Sequence, residues 1–353
     1  MPRTSRREER GYALLTAGAC AIAMVAMLGL SVDLGRLYIS RNESQAYVDS
    51  AAMRAALELD GTLTGVTRAQ DTLATNRNRW HMGNSTFTGA VMEFSTAQTG
   101  PWQTNPGSAT GVRFVRVRAS ADPPLYFIPI VVNATRGRVD AMAIAGQVPQ
   151  NGYKEGAFPF SPIAHDRTDP VNFGLTRGER YTLRWASNPR LNINTCDGDN
   201  VQSIIDIADA SGSERGYIEE TSSAIIREAI EGGYQTRPLE VGMTVDMTGG
   251  TKETQRDSII ARAFQDNNAS ARTYTEYVAE GNGNGRRLVA VPINTWQPDY
   301  EIVGFAAFFI LEQNEYNHGG NQPFCAEYVG PYVQGSRHMG AGTGGSYAVR
   351  LVQ

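Results

Sequence analysis

The sequence predicts an α+β protein. A long N-terminal transmembrane helix packs on a small sheet, and a mostly β extracytoplasmic domain with two helices follows. Three observations predict this. No charged residue occurs from Gly11 to Val32. Apolar residues then continue at helical spacing to about Asp60. After Phe87 the pattern changes to alternation with a period of two.

The uncharged stretch is long enough to cross a bilayer. As a helix it would measure about 33 Å, against a hydrocarbon core of about 30 Å. Arg3, Arg6, Arg7 and Arg10 precede it, beside Glu8 and Glu9, and place the N-terminus in the cytoplasm. Arg36 and Arg41 on the far side reduce that asymmetry. The expected layout is a cytoplasmic tail at 1–10 and a transmembrane helix at 11–34 in the cytoplasmic (inner) membrane. Everything beyond would be periplasmic or extracellular, and membrane lipid is the first expected partner. A cleaved signal peptide is the alternative, with Ala17 and Ala19 as the small residues of a cleavage site. Its apolar region would be shorter, about 7–15 residues, whereas hydrophobicity here continues to Leu30. Cys20 follows Ala17-Gly18-Ala19, but the leucine usual before a lipid-modified cysteine is missing, and a small residue inside the span is the simpler reading.

The helix continues beyond the membrane. Leu34, Leu37, Tyr38, Val48, Ala51, Ala52, Ala55 and Leu59 fall on one stripe, without a proline, and Gly61 is a stop signal. Ala17 with Ala21, and Ala19 with Ala23, form small-xxx-small pairs that permit close helix packing in lipid, although alanine is also simply common in membrane helices. Val66, Ala69, Leu73 and Trp80 predict a second helix over about Thr67 to Arg79. Strands are expected at Phe87–Thr96 and Val112–Ser120, where arginines alternate with apolar residues, and at Arg138–Val148. Leu125–Val132 is expected as a strand or buried segment. Residues 35–148 thus read as a helical stalk and small sheet.

Residues 149–353 read as the extracytoplasmic α+β domain, entered through a Pro/Gly/Asn-rich linker at Gln147–Gly156. Strands are predicted at Tyr181–Trp185, Arg286–Asn294 and Tyr300–Leu311. Ile302–Leu311 is too short to cross a bilayer as a helix and reads as a buried strand. The two helices are Ile218–Glu231, ended by Gly232-Gly233, and Glu253–Asp266.

A net charge of −4 removes the electrostatic case for a nucleic-acid partner. His81, His165, His318 and His338 are scattered and have no recognisable nucleophile partner, so no enzymatic activity and no cofactor are expected. Gly281-Asn282-Gly283-Asn284-Gly285 lacks the lysine and hydroxyl residue of a phosphate loop. Asp209-Ala210-Ser211-Gly212-Ser213 is similar to the DxSxS string of von Willebrand A domains, where such oxygens hold Mg²⁺. The other ligands of that set cannot be assigned, and Asp, Ser and Gly also form ordinary turns and helix starts. A membrane-anchored adhesion module binding Mg²⁺ through Asp209, Ser211 and Ser213 is therefore the alternative functional reading; otherwise no metal is expected. Cys196 and Cys325 share the outer region, where oxidising conditions favour a disulfide. Two free buried cysteines are the alternative.

The order of motifs in the first half resembles the Tad-type (Flp) pilus-assembly proteins of the TadE/TadG-like group. The resemblance is carried by Arg10-Gly11, the apolar span, Ser31-Val32-Asp33-Leu34-Gly35-Arg36-Leu37-Tyr38 and Ser50-Ala51-Ala52-Met53-Arg54-Ala55-Ala56. Val115-Arg116-Val117-Arg118, Pro124-Leu125-Tyr126-Phe127-Ile128 and Val139-Asp140-Ala141-Met142-Ala143-Ile144-Ala145 continue it. Less closely, Phe158-Pro159-Phe160, Asn172-Phe173-Gly174-Leu175 and Arg287–Ile293 are similar to the extracytoplasmic region of TadG-related proteins. Pilins of this broad class are processed after a glycine and carry a glutamate five residues beyond; counting from Gly11, that position is Thr16. A buried glutamate is costly in lipid and is kept where it pairs with a neighbouring subunit. The resemblance implies a non-enzymatic, membrane-anchored accessory or minor component of a Tad/Flp pilus-assembly or secretion system. Its partners would be other components of that system.

Overall fold

A computed structural model describes residues 6–75, 79–80, 85–130, 135–185, 195–199, 214–218, 222–250, 254–296, 298–318 and 322–352. Helix α1 (Arg6–Glu58) runs without a break through the whole apolar span and the stalk. It ends where predicted, because Gly61 takes a positive φ of 81° that L side chains rarely adopt. Helix α2 (Leu63–Thr75) then folds back on α1. Thr62 starts it: its hydroxyl accepts from the Gly65 N–H at 3.1 Å and donates to Asp60 at 2.6 Å. Gly65 is required there, since a Cβ would stand 2.2 Å from the Asp60 carboxylate. The helix ends four residues before the expected Arg79. Arg79 and Trp80 instead form β1 (Arg79–Trp80), paired with β2 (Ser85–Thr86).

The stalk half of α1 lies on a sheet in which β3 (Thr88–Ser95), β4 (Phe114–Ala121) and β5 (Val139–Pro149) run antiparallel to one another in turn. Its contact face is made of small residues. Ala51, Ala52, Ala55 and Ala56 are fully buried against Val115, Val117, Ala143 and Ala145, which brings helix backbone close to sheet. Tyr47 stacks on Phe87 with ring centroids 4.5 Å apart. The arginines that alternate along β4 have a shared partner: Glu93 accepts from Arg116 at 2.8 Å and Arg118 at 2.7 Å. Two stripe residues need correction. Leu34 and Tyr38 are exposed, and the buried face there runs through Gly29, Asp33, Ser40 and Ser44. Small polar residues at helical spacing hid that part of the stripe. Of the two readings of Leu125–Val132, strand or buried segment, the strand is corrected: the described part is a loop ending in a 3-10 turn, Ile128–Ile130, with Leu125 buried. Pro123, Pro124 and Pro129 have no N–H to give a sheet.

The boundary expected at 148/149 does not divide the structure. β5 continues to Pro149, and β6 (Gly152–Tyr153) follows at once, so the expected linker is ordered structure. The chain later returns to complete the first sheet. A four-stranded antiparallel sheet forms first, in the order β11 (Leu288–Asn294), β12 (Ile302–Ile310), β13 (Phe324–Gly330) and β7 (Arg180–Arg184). Then β14 (Tyr332–Val333) leads to β15 (Ser346–Leu351), which pairs antiparallel with β5, Tyr347 opposite Pro149 and Leu351 opposite Ala145. Two minor pairs, β6 with β9 (Leu239–Glu240) and β8 (Glu214–Ile218) with β10 (Met247–Gly249), extend the outer body.

The four-stranded sheet is covered on both faces, which explains why β11 and β12 are continuously apolar rather than alternating. One face packs on Phe158, Phe160 and the helices α3 (Ser223–Gly232) and α4 (Gln255–Phe264). The other meets Tyr277 of a third helix, α5 (Tyr274–Glu280), through Leu288 and Phe309. The sequence predicted two helices in this region; α5 was missed, and Ile218 belongs to a strand rather than a helix start. Cys196 and Cys325 form a disulfide with Cα atoms 5.8 Å apart, joining β13 to the segment after β7.

Candidate functional site: the long helix and its two clamps

From Tyr12 to Leu28, α1 presents its side chains outward, with only Thr16 half-buried. An 18-residue window here has a mean hydropathy of 2.2, so the helix is long and apolar enough to cross a membrane. Ala17, Ala19, Ala21 and Ala23 lie on this exposed length. The Thr16 hydroxyl donates to its own helix, at Tyr12 O (2.9 Å) and Ala13 O (3.0 Å), which satisfies the group without a partner subunit.

The first clamp sits where the buried stripe begins. Asp33, fully buried, accepts from the backbone N–H groups of Tyr126 (3.0 Å), Phe127 (2.8 Å) and Ile128 (2.7 Å). Three converging amides at the start of the 3-10 turn supply the positive field that a buried carboxylate needs. One turn earlier, the ring of Phe127 covers Gly29, where a Cβ would lie 2.5 Å from it. Arg36 stands over the Tyr126 ring, 4.6 Å from its centroid.

The second clamp holds the C-terminal end of α1, where a helix leaves carbonyls without partners. Buried Gln147 of β5 donates from Nε2 to Ala56 O (2.9 Å) and Leu59 O (2.7 Å) and accepts from the Ala341 N–H (2.9 Å). Ser336 donates to Leu57 O at 2.8 Å, and Arg68 of α2 donates to Glu58 O at 3.1 Å. Nitrogen donors gather around the Glu58 carboxylate: the Arg68 guanidinium at 3.3 Å, the Arg337 guanidinium at 3.4 Å and the His338 ring at 3.4 Å. The His338 hydrogen bond, with Arg337 and Arg68, holds the Glu58 carboxyl down at about 2, against burial acting in the opposite direction. A carboxyl depressed on folding contributes stability above its unfolded value of about 4.5, and loses that contribution as pH falls toward 2. Stability of the full chain is therefore expected to fall between pH 5 and about pH 2. In Glu58→Gln that slope should be shallower, as measured by urea midpoints across the range. An unchanged slope would remove Glu58 from the clamp.

Other candidates are committed to the fold. His165 pairs with Asp199 at 3.1 Å rather than with Asp166, and Asp199 also accepts from the Thr182 N–H at 2.8 Å, beside the disulfide. His338 belongs to the second clamp; His318 packs near Phe324. The glycine-asparagine loop is pinned by Tyr277, whose hydroxyl donates to Asp266 at 2.9 Å and accepts from the Gly285 N–H at 2.8 Å. A cleft of about 590 Å³ lies between α2, α5 and β13. Burial raises the Glu327 carboxyl in its wall above the ordinary value, and that carboxyl accepts from the Tyr274 N–H at 2.8 Å. Asp209, Ser211, Ser213 and His81 lie outside the described residues. The two clamps were missed from sequence because, apart from Arg68 beside Glu58, the groups that meet in them come from segments about ninety residues apart or more; Asp33 within the apolar-to-polar transition was the one local signal.

No curated protein and no solved structure matches the chain. Residues 11–58 match the Tad family, described as putative Flp pilus-assembly TadE/G-like, and the match ends on the last residue of α1.

Proposed function

We propose that this chain is a non-enzymatic, membrane-anchored accessory or minor component of a Tad/Flp-type pilus-assembly or secretion system. One observation carries the reading: the family match coincides with α1, a single helix that is exposed and apolar at one end and locked to a folded body at the other. Such a helix couples membrane anchoring to the placement of a recognition body. The likeness of the second half to TadG-related outer regions extends the proposal to that body. The N-terminal arginines support a cytoplasmic N-terminus, with the body outside the inner membrane. Thr16, in place of a glutamate, supports an anchored component over a polymerising subunit. Its partners would be other Tad/Flp components, reached laterally through the Ala17/Ala21 or the Ala19/Ala23 pair and, outside, through the body.

Deletion of the gene should reduce surface piliation, adherence or secretion without loss of viability. Ala17→Leu with Ala21→Leu should retain the protein in the membrane while weakening its co-purification with other pilus-assembly proteins. Normal piliation and secretion in the deletion strain, with no co-purifying pilus proteins, would overturn the proposal.

A further inference from the structure

The loop at the first clamp has an unusual backbone. Pro123, Pro124 and Pro129 have no N–H, and the remaining amides from 125 to 128 are all donated. Leu125 bonds Thr135 O at 3.0 Å, and Tyr126, Phe127 and Ile128 bond the Asp33 carboxylate. Irregular backbone is tolerated at membrane depth only when its polar groups are satisfied within the protein. Two apolar side chains of this loop face outward: Tyr126 is 55% exposed and Phe127 38%.

Its position along α1 is equally specific. Phe127 covers Gly29, which precedes the end of the uncharged stretch at Val32 by three residues, or about 4.5 Å of helix. Leu28 and Leu30, on either side, are exposed. The ring is therefore level with the outer edge of the apolar span and continuous with its surface. Tyr126 beneath the Arg36 guanidinium is the aromatic–cation pairing suited to headgroup level.

We infer that the Leu125–Ile130 loop is a second lipid-contacting element, seated in the membrane interface where α1 emerges into the stalk. This rests on the reading that α1 crosses a bilayer. Asp33 has two linked roles in it: it takes up the N–H groups of Tyr126, Phe127 and Ile128, and these amides in turn satisfy its charge at a depth where water is scarce. With two contacts at the interface, the tilt of α1 and the orientation of the outer body would be fixed relative to the membrane plane.

The test uses the full chain in liposomes of phosphatidylethanolamine and phosphatidylglycerol, with Cys20→Ala and the native disulfide kept oxidised. A nitroxide is attached in turn at Tyr126→Cys, at Ile22→Cys within the span and at Glu155→Cys on the outer body. The label at 126 should fall between the other two, with a ratio of oxygen to water-soluble nickel accessibility below that at mid-span 22 and clearly above that at 155. A label at 126 that matches 155 while 22 reports lipid would overturn the loop contact and leave the span standing. Water exposure at 22 would instead overturn the membrane reading and the inference with it. Shielding of 126 from both reagents would mean that protein, not lipid, covers the loop, and would also overturn it.

Discussion

Gln147→Leu is expected to destabilise the full chain by at least about 3 kcal/mol, since it leaves two carbonyls and one N–H buried without partners, at roughly 1–3 kcal/mol each. Leucine is close to glutamine in volume, so lost packing contributes little. The change is large against a typical total stability of about 5–15 kcal/mol. Gln147 joins three parts distant in sequence: the end of α1, strand β5 and the loop before β15. Losing it should loosen the stalk from the body rather than perturb one side chain. Urea unfolding in detergent, followed by tryptophan fluorescence, measures it. Gln45→Leu is the control, because Gln45 is exposed on the same helix and water can replace its bonds; its effect should stay within about 0.5 kcal/mol. Equal midpoints for the two variants would remove Gln147 from the account.

Asp33→Ala should release the loop at the first clamp. The amides of Tyr126, Phe127 and Ile128 lose their acceptor together, and each is a charge-assisted bond in the native protein. Their hydrogen exchange is expected to accelerate on the order of tenfold or more, the factor that one such bond carries. Asp33→Asn keeps a single acceptor oxygen and should fall between wild type and Asp33→Ala. Amides in β12, in the middle of the outer body, should be unaffected. Unchanged exchange at 126–128 would show that the loop is held without Asp33, by Phe127 on Gly29, Arg36 on Tyr126 and Leu125 on Thr135.

The two clamps also mark where sequence reading ran out. α1 was legible because its signals are local: an uncharged stretch, helical spacing and a terminating glycine. The alternating arginines of β4 and the unbroken apolar run of β12 were legible for the same reason. β15 was not, because its place beside β5 depends on residues about two hundred positions apart, and Ser346–Leu351 carries no mark of its partner. Gln147 lay in a stretch whose proline, asparagine and glycine suggested a linker, although its side chain is fully buried. Leu125–Val132 read as a strand or buried segment by composition, but the amides of Tyr126, Phe127 and Ile128 were committed to Asp33 on another element. α5 has only seven residues, too few for a periodic signal. The disulfide was accessible from compartment reasoning, which needs no fold; the His165–Asp199 pair, with Asp166 the nearer acid in sequence, was not.

The central claim is that α1 holds the chain in a membrane while the body it carries lies outside the cytoplasm. Glu155 is exposed on that body, and Cys20→Ala with Glu155→Cys provides one accessible thiol when the native disulfide is intact. The direct measurement is labelling of this variant in intact spheroplasts with a membrane-impermeant maleimide, followed by fractionation. The account predicts labelling before lysis, with the labelled chain retained in the membrane fraction after alkaline extraction. Labelling only after lysis, or release of the labelled chain into the soluble fraction, would contradict it.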